Sequence, residues 1–385
     1  MRARDSAVAL LAVGTIVAVA CGSSGLAPNA TPTTDPGRGV LGGTDTDRHN
    51  VALSDIHFDS FTGGSIPLSE IDAATILALR DRIPPLDNPL YDPVEGGDWL
   101  SPDDLVLGYE AADGQAYAYP AKILNFHEIV NDELGGQAVL ISYCPLCRSG
   151  IVYDRGLDGR ILSFANTGAL YQSDLVMYDR ETLSYWFQVG GEAIVGELTG
   201  ARLEPLPSVS TTWSEWRDLH PDTLVLSRET GFVRSYERDI GTGLEEFINS
   251  GNYPFPVTEA AQDDRLPPAA LVLGVELGGE ARAYPIETLG DAVVTDTFGD
   301  EPVVVFNRAN GPAAAAFRPE ANGRSLTFEL RGGRFVDTET ESEWSLSGEA
   351  VAGPLAGARL TALPVRTTFW FVYVAAFPGV TVYGQ

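Results

Sequence analysis

Leu105-Val106-Leu107-Gly108 recurs, far downstream, as Leu271-Val272-Leu273-Gly274. The match continues outward from there. Ala118-Tyr119-Pro120 returns as Ala283-Tyr284-Pro285, and Asp179 with Glu181-Thr182 returns as Asp337 with Glu339-Thr340. Gly191-Glu192-Ala193 returns as Gly348-Glu349-Ala350, Gly200–Leu203 as Gly357–Leu360, and Thr211-Thr212 as Thr367-Thr368. The order never breaks, while the offset drifts only from 271 − 105 = 166 to 367 − 211 = 156. Ordered self-similarity of this kind predicts an internal duplication. The local pattern inside the first copy is of short apolar runs bounded by Gly, Asp or Pro: Leu105–Tyr109, Gln115–Tyr119, Ala138–Tyr143, Gly150–Asp154 and Ile161–Phe164 read as strands. Asp113-Gly114 between the first two suggests a type I′ hairpin. Ala121–Asp132, Thr211–Leu219 and a stretch near Leu68–Arg82 read as short helices. The fold class expected is therefore β-rich α+β, two tandem related β units with a few short helices. The units run over residues 49–232 and 269–385, and residues 233–268, with Pro254, Pro256, Pro267 and Pro268, form a linker.

The N-terminus reads as an export signal. Arg2 and Arg4 precede an almost wholly apolar run from Ala7 to Ala20, then Cys21. That run has the length of a signal core rather than of a membrane span. Ala18-Val19-Ala20-Cys21 resembles a bacterial lipobox, which predicts cleavage before Cys21, lipid attachment at that residue and an extracytoplasmic lipoprotein held at the cell membrane. The other reading is a plain secretory signal cut nearby. Residues 22–48 contain no aromatic residue and are dense in Gly, Pro, Thr, Asp and Ser, so a disordered tether is expected there. The 385 residues carry 25 Lys+Arg against 53 Asp+Glu, a net charge of −28. That balance excludes a nucleic-acid partner, which needs a basic face, and argues against docking on anionic lipid by charge. Three cysteines are too few for a disulfide-built scaffold.

A duplicated chain carries its own control: residues kept in both copies serve the fold, and residues found in one are candidates for chemistry. Asp179 matches Asp337, Trp186 matches Trp344, and Met177 matches Phe335 as a core position. Cys144 falls instead on Arg308, Cys147 on Gly311, Asp174 on Gly332, and His127 on Asp291 or Ala292. Cys144, Cys147, His127 and Asp174 thus belong to the first copy alone, and they are the candidate site.

Four readings of Cys144-Pro145-Leu146-Cys147 compete. In the first, the two thiolates grip a transition metal, zinc or copper, with His127 as third ligand and Asp174, His220 or water as fourth. In the second, they form a thiol–disulfide redox pair, which normally needs an activating helix N-terminus. Arg148-Ser149-Gly150-Ile151-Val152 reads instead as a turn into a strand, and a strand–knuckle–strand setting favours a metal. The third is a disulfide that only staples a turn, and the fourth a cysteine nucleophile with His127 as base. Haem attachment is excluded because Arg148 stands where histidine is required. Three functions follow: an exported metal-binding lipoprotein, an extracytoplasmic thiol–disulfide oxidoreductase using Cys144 and Cys147, or a non-catalytic scaffold.

The segments Asn125–Asp132, Tyr143–Cys147, Ser173–Arg180 and His220-Pro221-Asp222-Thr223 resemble, in this order, the bacterial and archaeal domain-of-unknown-function 3179 family, over roughly residues 60–256. The family's knuckle is Cys-Pro-x-Cys-Gly; Arg148 replaces its glycine here. The resemblance implies a common folded unit and carries no activity.

Overall fold

A computed structural model describes residues 37–238, 240–241, 243–309, 311 and 313–385. The signal segment and Cys21 lie outside the described residues. The chain is β-rich, with six short α-helices among the described residues, none longer than seven residues. None is long and apolar enough to cross a membrane.

Both halves lay down the same order of elements. Strands Leu105–Glu110 and Ala116–Pro120 form a hairpin, followed by helix Ala121–His127 and strands Ile129–Leu134, Gln137–Cys144 and Ser149–Asp154. In the second half, strands Leu271–Leu277 and Glu280–Pro285 precede helix Ile286–Leu289 and strands Ala292–Phe298, Glu301–Arg308 and Ala313–Arg318. Each half ends in a strand that returns to its first hairpin, then a seven-residue helix: Ser208–Thr212 with Trp213–Leu219, and Val365–Phe369 with Trp370–Ala376. The repeated Leu-Val-Leu-Gly has a packing reason. A Cβ on Gly108 would come within 2.2 Å of the Trp216 ring, and one on Gly274 within 2.1 Å of the Tyr373 ring. Only glycine lets each closing helix lay an aromatic ring flat on its strand.

The halves are not side-by-side units. One nine-stranded sheet runs across both, in the order 381–382, 280–285, 271–277, 365–369, 149–154, 137–144, 129–134 and 86–87, with 205–206 also pairing with 149–154. The junction is antiparallel and pairs Gly150 with Thr367. At the other end of the relationship, Ser208–Thr212 of the first half lies beside Ala313–Arg318 of the second. Residues 49–232 and 269–385 therefore share a continuous sheet and a core.

Several local expectations change. Helix 121–127 stops five residues short of Asp132, because Glu128 takes a left-handed conformation (φ 58°) and β-branched Ile129-Val130 start a strand. Thr211-Thr212 belong to a strand, with Thr212 capping the helix that follows. The helix near Leu68–Arg82 is only Ala73–Leu79. Asp113 has no positive φ, so the 111–115 turn is not type I′; Gly114 alone is left-handed (φ 86°). Residues 37–48, expected within the tether, instead form a hairpin, Val40–Leu41 with Thr44–Asp45. Hydrogen bonds hold it together with half-buried Leu41, which packs against the core. Arg38 Nη1 donates to the Leu68 and Ile71 carbonyls at 3.0 and 2.7 Å, and buried Thr44 donates to the Leu183 carbonyl at 2.8 Å. A composition argument that counts only apolar surface misses such an anchor. The linker is likewise tied down, with a helix at Leu244–Asn249 and buried Ile248 and Ala261.

Candidate metal centre

Two hairpin turns meet at the site. The first joins Gln137–Cys144 to Ser149–Asp154; Cys144 pairs with Ser149, so Pro145–Arg148 form the knuckle between them. Arg148 is left-handed (φ 55°), the conformation that a glycine at this place adopts without strain. The second turn, Gln172-Ser173, joins Phe164–Tyr171 to Asp174–Asp179 and pairs Tyr171 with Asp174. It carries Asp174 to the knuckle. One ligand atom each from Cys144, Cys147 and Asp174 all lie within 4.8 Å of one another, and all three residues are buried. The Cys147 thiol donates to Asp174 Oδ1 at 2.8 Å, and the Val189 amide donates to Oδ2 at 3.0 Å. Behind the knuckle, Ser149 donates to Gln188 Oε1 at 2.7 Å and Gln188 Nε2 donates to Ser142 Oγ at 2.9 Å, fixing the hairpin base.

The second half lacks Asp174 for a visible reason. Phe164 pairs with Asp179, 15 positions on (179 − 164), whereas the matching Phe328 pairs with Asp337, 9 positions on (337 − 328). The first hairpin is longer by the tip that bears the carboxylate. The root of the hairpin is the same in both. Trp186 Nε1 donates to Asp179 Oδ2 at 2.9 Å and Trp344 Nε1 to Asp337 Oδ2 at 2.9 Å, and Thr182 and Thr340 each bond that aspartate through amide and hydroxyl.

His127 is not part of this cluster, which corrects the expected ligand set. Its Nδ1 donates to the Pro84 carbonyl at 2.8 Å, so Nε2 accepts from the Tyr236 hydroxyl at 2.7 Å. Both nitrogens are used, and burial holds its pKa below the ordinary value, which favours the neutral ring. His220 also lies elsewhere, its ring tilted against that of Trp216 with the centroids 4.1 Å apart, at the end of its helix. The residue that faces the site instead is Glu128. Helical spacing places it off the face of His127; because it leaves the helix in a left-handed turn, its side chain swings into the core and accepts a hydrogen bond from Asn166. Burial, only partly offset by that bond and reinforced by the charge of Asp174, pushes its carboxyl up to about 8.

The electrostatics are those of clustered acids. Burial raises Asp174 to about 6 against the pull of its bonds to Cys147, Val189 and Cys144. Burial and the neighbouring acids raise both thiols, Cys147 the further. The knuckle's own arginine, Arg148, turns outward to Glu245 at 2.5 Å. Such a group of buried acids is stable only protonated or around a cation. Both cysteines are free thiols. The segment after the first half covers the two turns: Glu245 holds Arg148, the Phe255 amide donates to Ser173 Oγ at 3.1 Å, and Thr258 and Gln172 exchange bonds of 2.9 and 2.8 Å.

A β-rich chain with a buried dithiol–carboxylate cluster is what fold and site define. The chain belongs to the DUF3179 family, described as proteins of unknown function, whose model matches residues 80–380. That match begins later than the resemblance in the sequence and extends through the second half, as the shared sheet requires. No curated protein and no solved structure matches the chain.

Proposed function

We propose that Cys144, Cys147 and Asp174 bind one transition-metal ion, zinc or copper, in an exported lipoprotein tethered through Cys21. The carrying observation is the convergence of three ligand atoms within 4.8 Å in a buried space where burial raises the acids. Atoms each about 2.0–2.3 Å from a shared ion lie roughly 3–4 Å apart, so the donor set fits with small adjustment. Two thiolates with a carboxylate suit zinc better than Cu(I), which favours sulfur alone. When bound, the ion supplies the positive charge that lets both thiols and Asp174 ionise in the core. Export and lipidation rest on Arg2, Arg4, the Ala7–Ala20 run and Cys21. The recurring element order and the paired Asp–Thr–Trp networks support reading the halves as copies of one unit, of which one keeps the metal ligands.

A redox dithiol is less well supported. Reactive cysteines are accessible and have lowered pKa values, whereas these are buried and raised, with a strand rather than a helix after Cys147. Elemental analysis with thiol titration on anaerobically isolated protein tests the reading. One equivalent of metal with two protected thiols is expected, lost in Cys144→Ser. Metal-free protein with a complete Cys144–Cys147 disulfide would overturn it in favour of the oxidoreductase or the scaffold.

A further inference from the structure

The knuckle is finished by residues of the other half. The Cys147 carbonyl accepts a hydrogen bond from the Phe369 amide at 3.0 Å and one from the Thr368 hydroxyl at 3.1 Å. Thr368 is fully buried. The oxygen they hold belongs to the peptide between Cys147 and Arg148, so pinning it fixes ψ of the cysteine and φ of the left-handed arginine. That is the conformation a non-glycine residue leaves most readily, because its Cβ crowds the following carbonyl there. A knuckle of this sequence left unheld would relax, and the Cys147 sulfur would turn with it.

The reverse contact is not such a clasp, since the Trp213 amide donates to the Asp104 carbonyl at 2.8 Å and the Thr212 hydroxyl caps its own helix. Thr212, which matches Thr368, lies against Gly311, which matches Cys147: a Cβ on Gly311 would come within 2.9 Å of Thr212 Cγ2. Each half thus presents a threonine to the knuckle of the other, and only one knuckle carries a ligand.

Resting on the metal reading above, we infer that Thr368 is a positioning residue of the metal centre and that docking of strand Val365–Phe369 and metal loading are one linked equilibrium. The degenerate half then contributes to the site directly, by holding a first-half ligand in its binding conformation. Linkage requires the converse too, so a bound ion tightens the junction between the halves by the same factor.

The test uses the full chain and zinc. Thr368→Val, which keeps shape and removes the hydroxyl, is expected to weaken zinc about fivefold to tenfold in competition with a chelator, the scale of one hydrogen bond. It should also shift the sulfur-to-metal charge-transfer band of the cobalt-substituted protein. Thr368→Ser should restore both. Thr212→Val, which also removes a helix cap, should lower stability and leave zinc affinity unchanged. Wild-type affinity and spectrum in folded Thr368→Val, while wild type binds one zinc, would overturn the inference and leave the metal reading standing. No zinc bound by wild type with both thiols free would overturn the metal reading itself. Should Thr368→Val fail to fold, hydrogen exchange on the wild-type chain decides. Zinc is expected to slow the Phe369 amide and strand 365–369 more than strand 208–212, and equal slowing of the two would overturn the linkage.

Discussion

Glu128 and His127 are neighbours in sequence that face different networks, and the difference is one backbone angle. The helical spacing that sets Glu128 off the face of His127 applies only while the chain remains helical, and it ends at His127. No residue type announces a left-handed cap at a glutamate, so this part of the site was illegible. Asp174 and the cysteines were legible because an internal comparison isolated them, although the comparison isolated His127 equally. Two expectations belong at this scale. His127→Ala leaves the Tyr236 hydroxyl and the Pro84 carbonyl without their ring partner, so stability should fall by about 1–3 kcal/mol while zinc stoichiometry stays unchanged. Loss of zinc from folded His127→Ala would restore the histidine to the ligand set. The second concerns pH. A carboxyl raised from its ordinary range to about 8 favours the folded state fully at low pH, and that contribution is lost as pH climbs toward 8. In chelator, wild type should therefore lose stability relative to Glu128→Gln as pH rises from the ordinary carboxyl range to about 8, as read by urea denaturation. A gap that stays constant with pH would show that Glu128 is already ionised in the fold.

Element boundaries followed hydrophobic pattern where strands lie deep in the sheet and drifted where a cap or turn decides. Strands expected at Ala138–Tyr143 and Gly150–Asp154 are observed at Gln137–Cys144 and Ser149–Asp154. The hairpin at 37–48 carries few apolar residues and is invisible to that pattern. The duplicated Leu-Val-Leu-Gly is visible in sequence, but its reason is not, since the ring packed on each glycine comes from a helix about 100 residues away. Gly108→Ala pushes a methyl group into the face of Trp216, and Gly274→Ala does the same at Tyr373. Each should cost about 1–3 kcal/mol in chemical denaturation, well beyond the gain that Gly→Ala brings in an unobstructed strand. A neutral or stabilising result at either position would mean that the closing helix yields easily.

At the scale of the molecule, matching motifs were readable and arrangement was not. Matching motifs reveal two similar stretches, but they carry no sign that the last strand of one lies on the knuckle of the other. Pairing between residues as far apart as Gly150 and Thr367 leaves no local trace. A chain ended after residue 268 removes four strands from the nine-stranded sheet and takes Val272, Tyr284 and Phe369 out of the common core. It should fail to give a cooperative thermal transition. A sharp transition in that fragment would mean the first half folds alone.

That topology also sets an order in time. The threonine and amide that clasp Cys147 lie at 368 and 369 of a 385-residue chain. A ribosome has made the whole first half before they exist, and until then its cysteines are unclasped. In the metal reading, the tightest hold on the ion therefore waits until residues 368 and 369 have closed on Cys147.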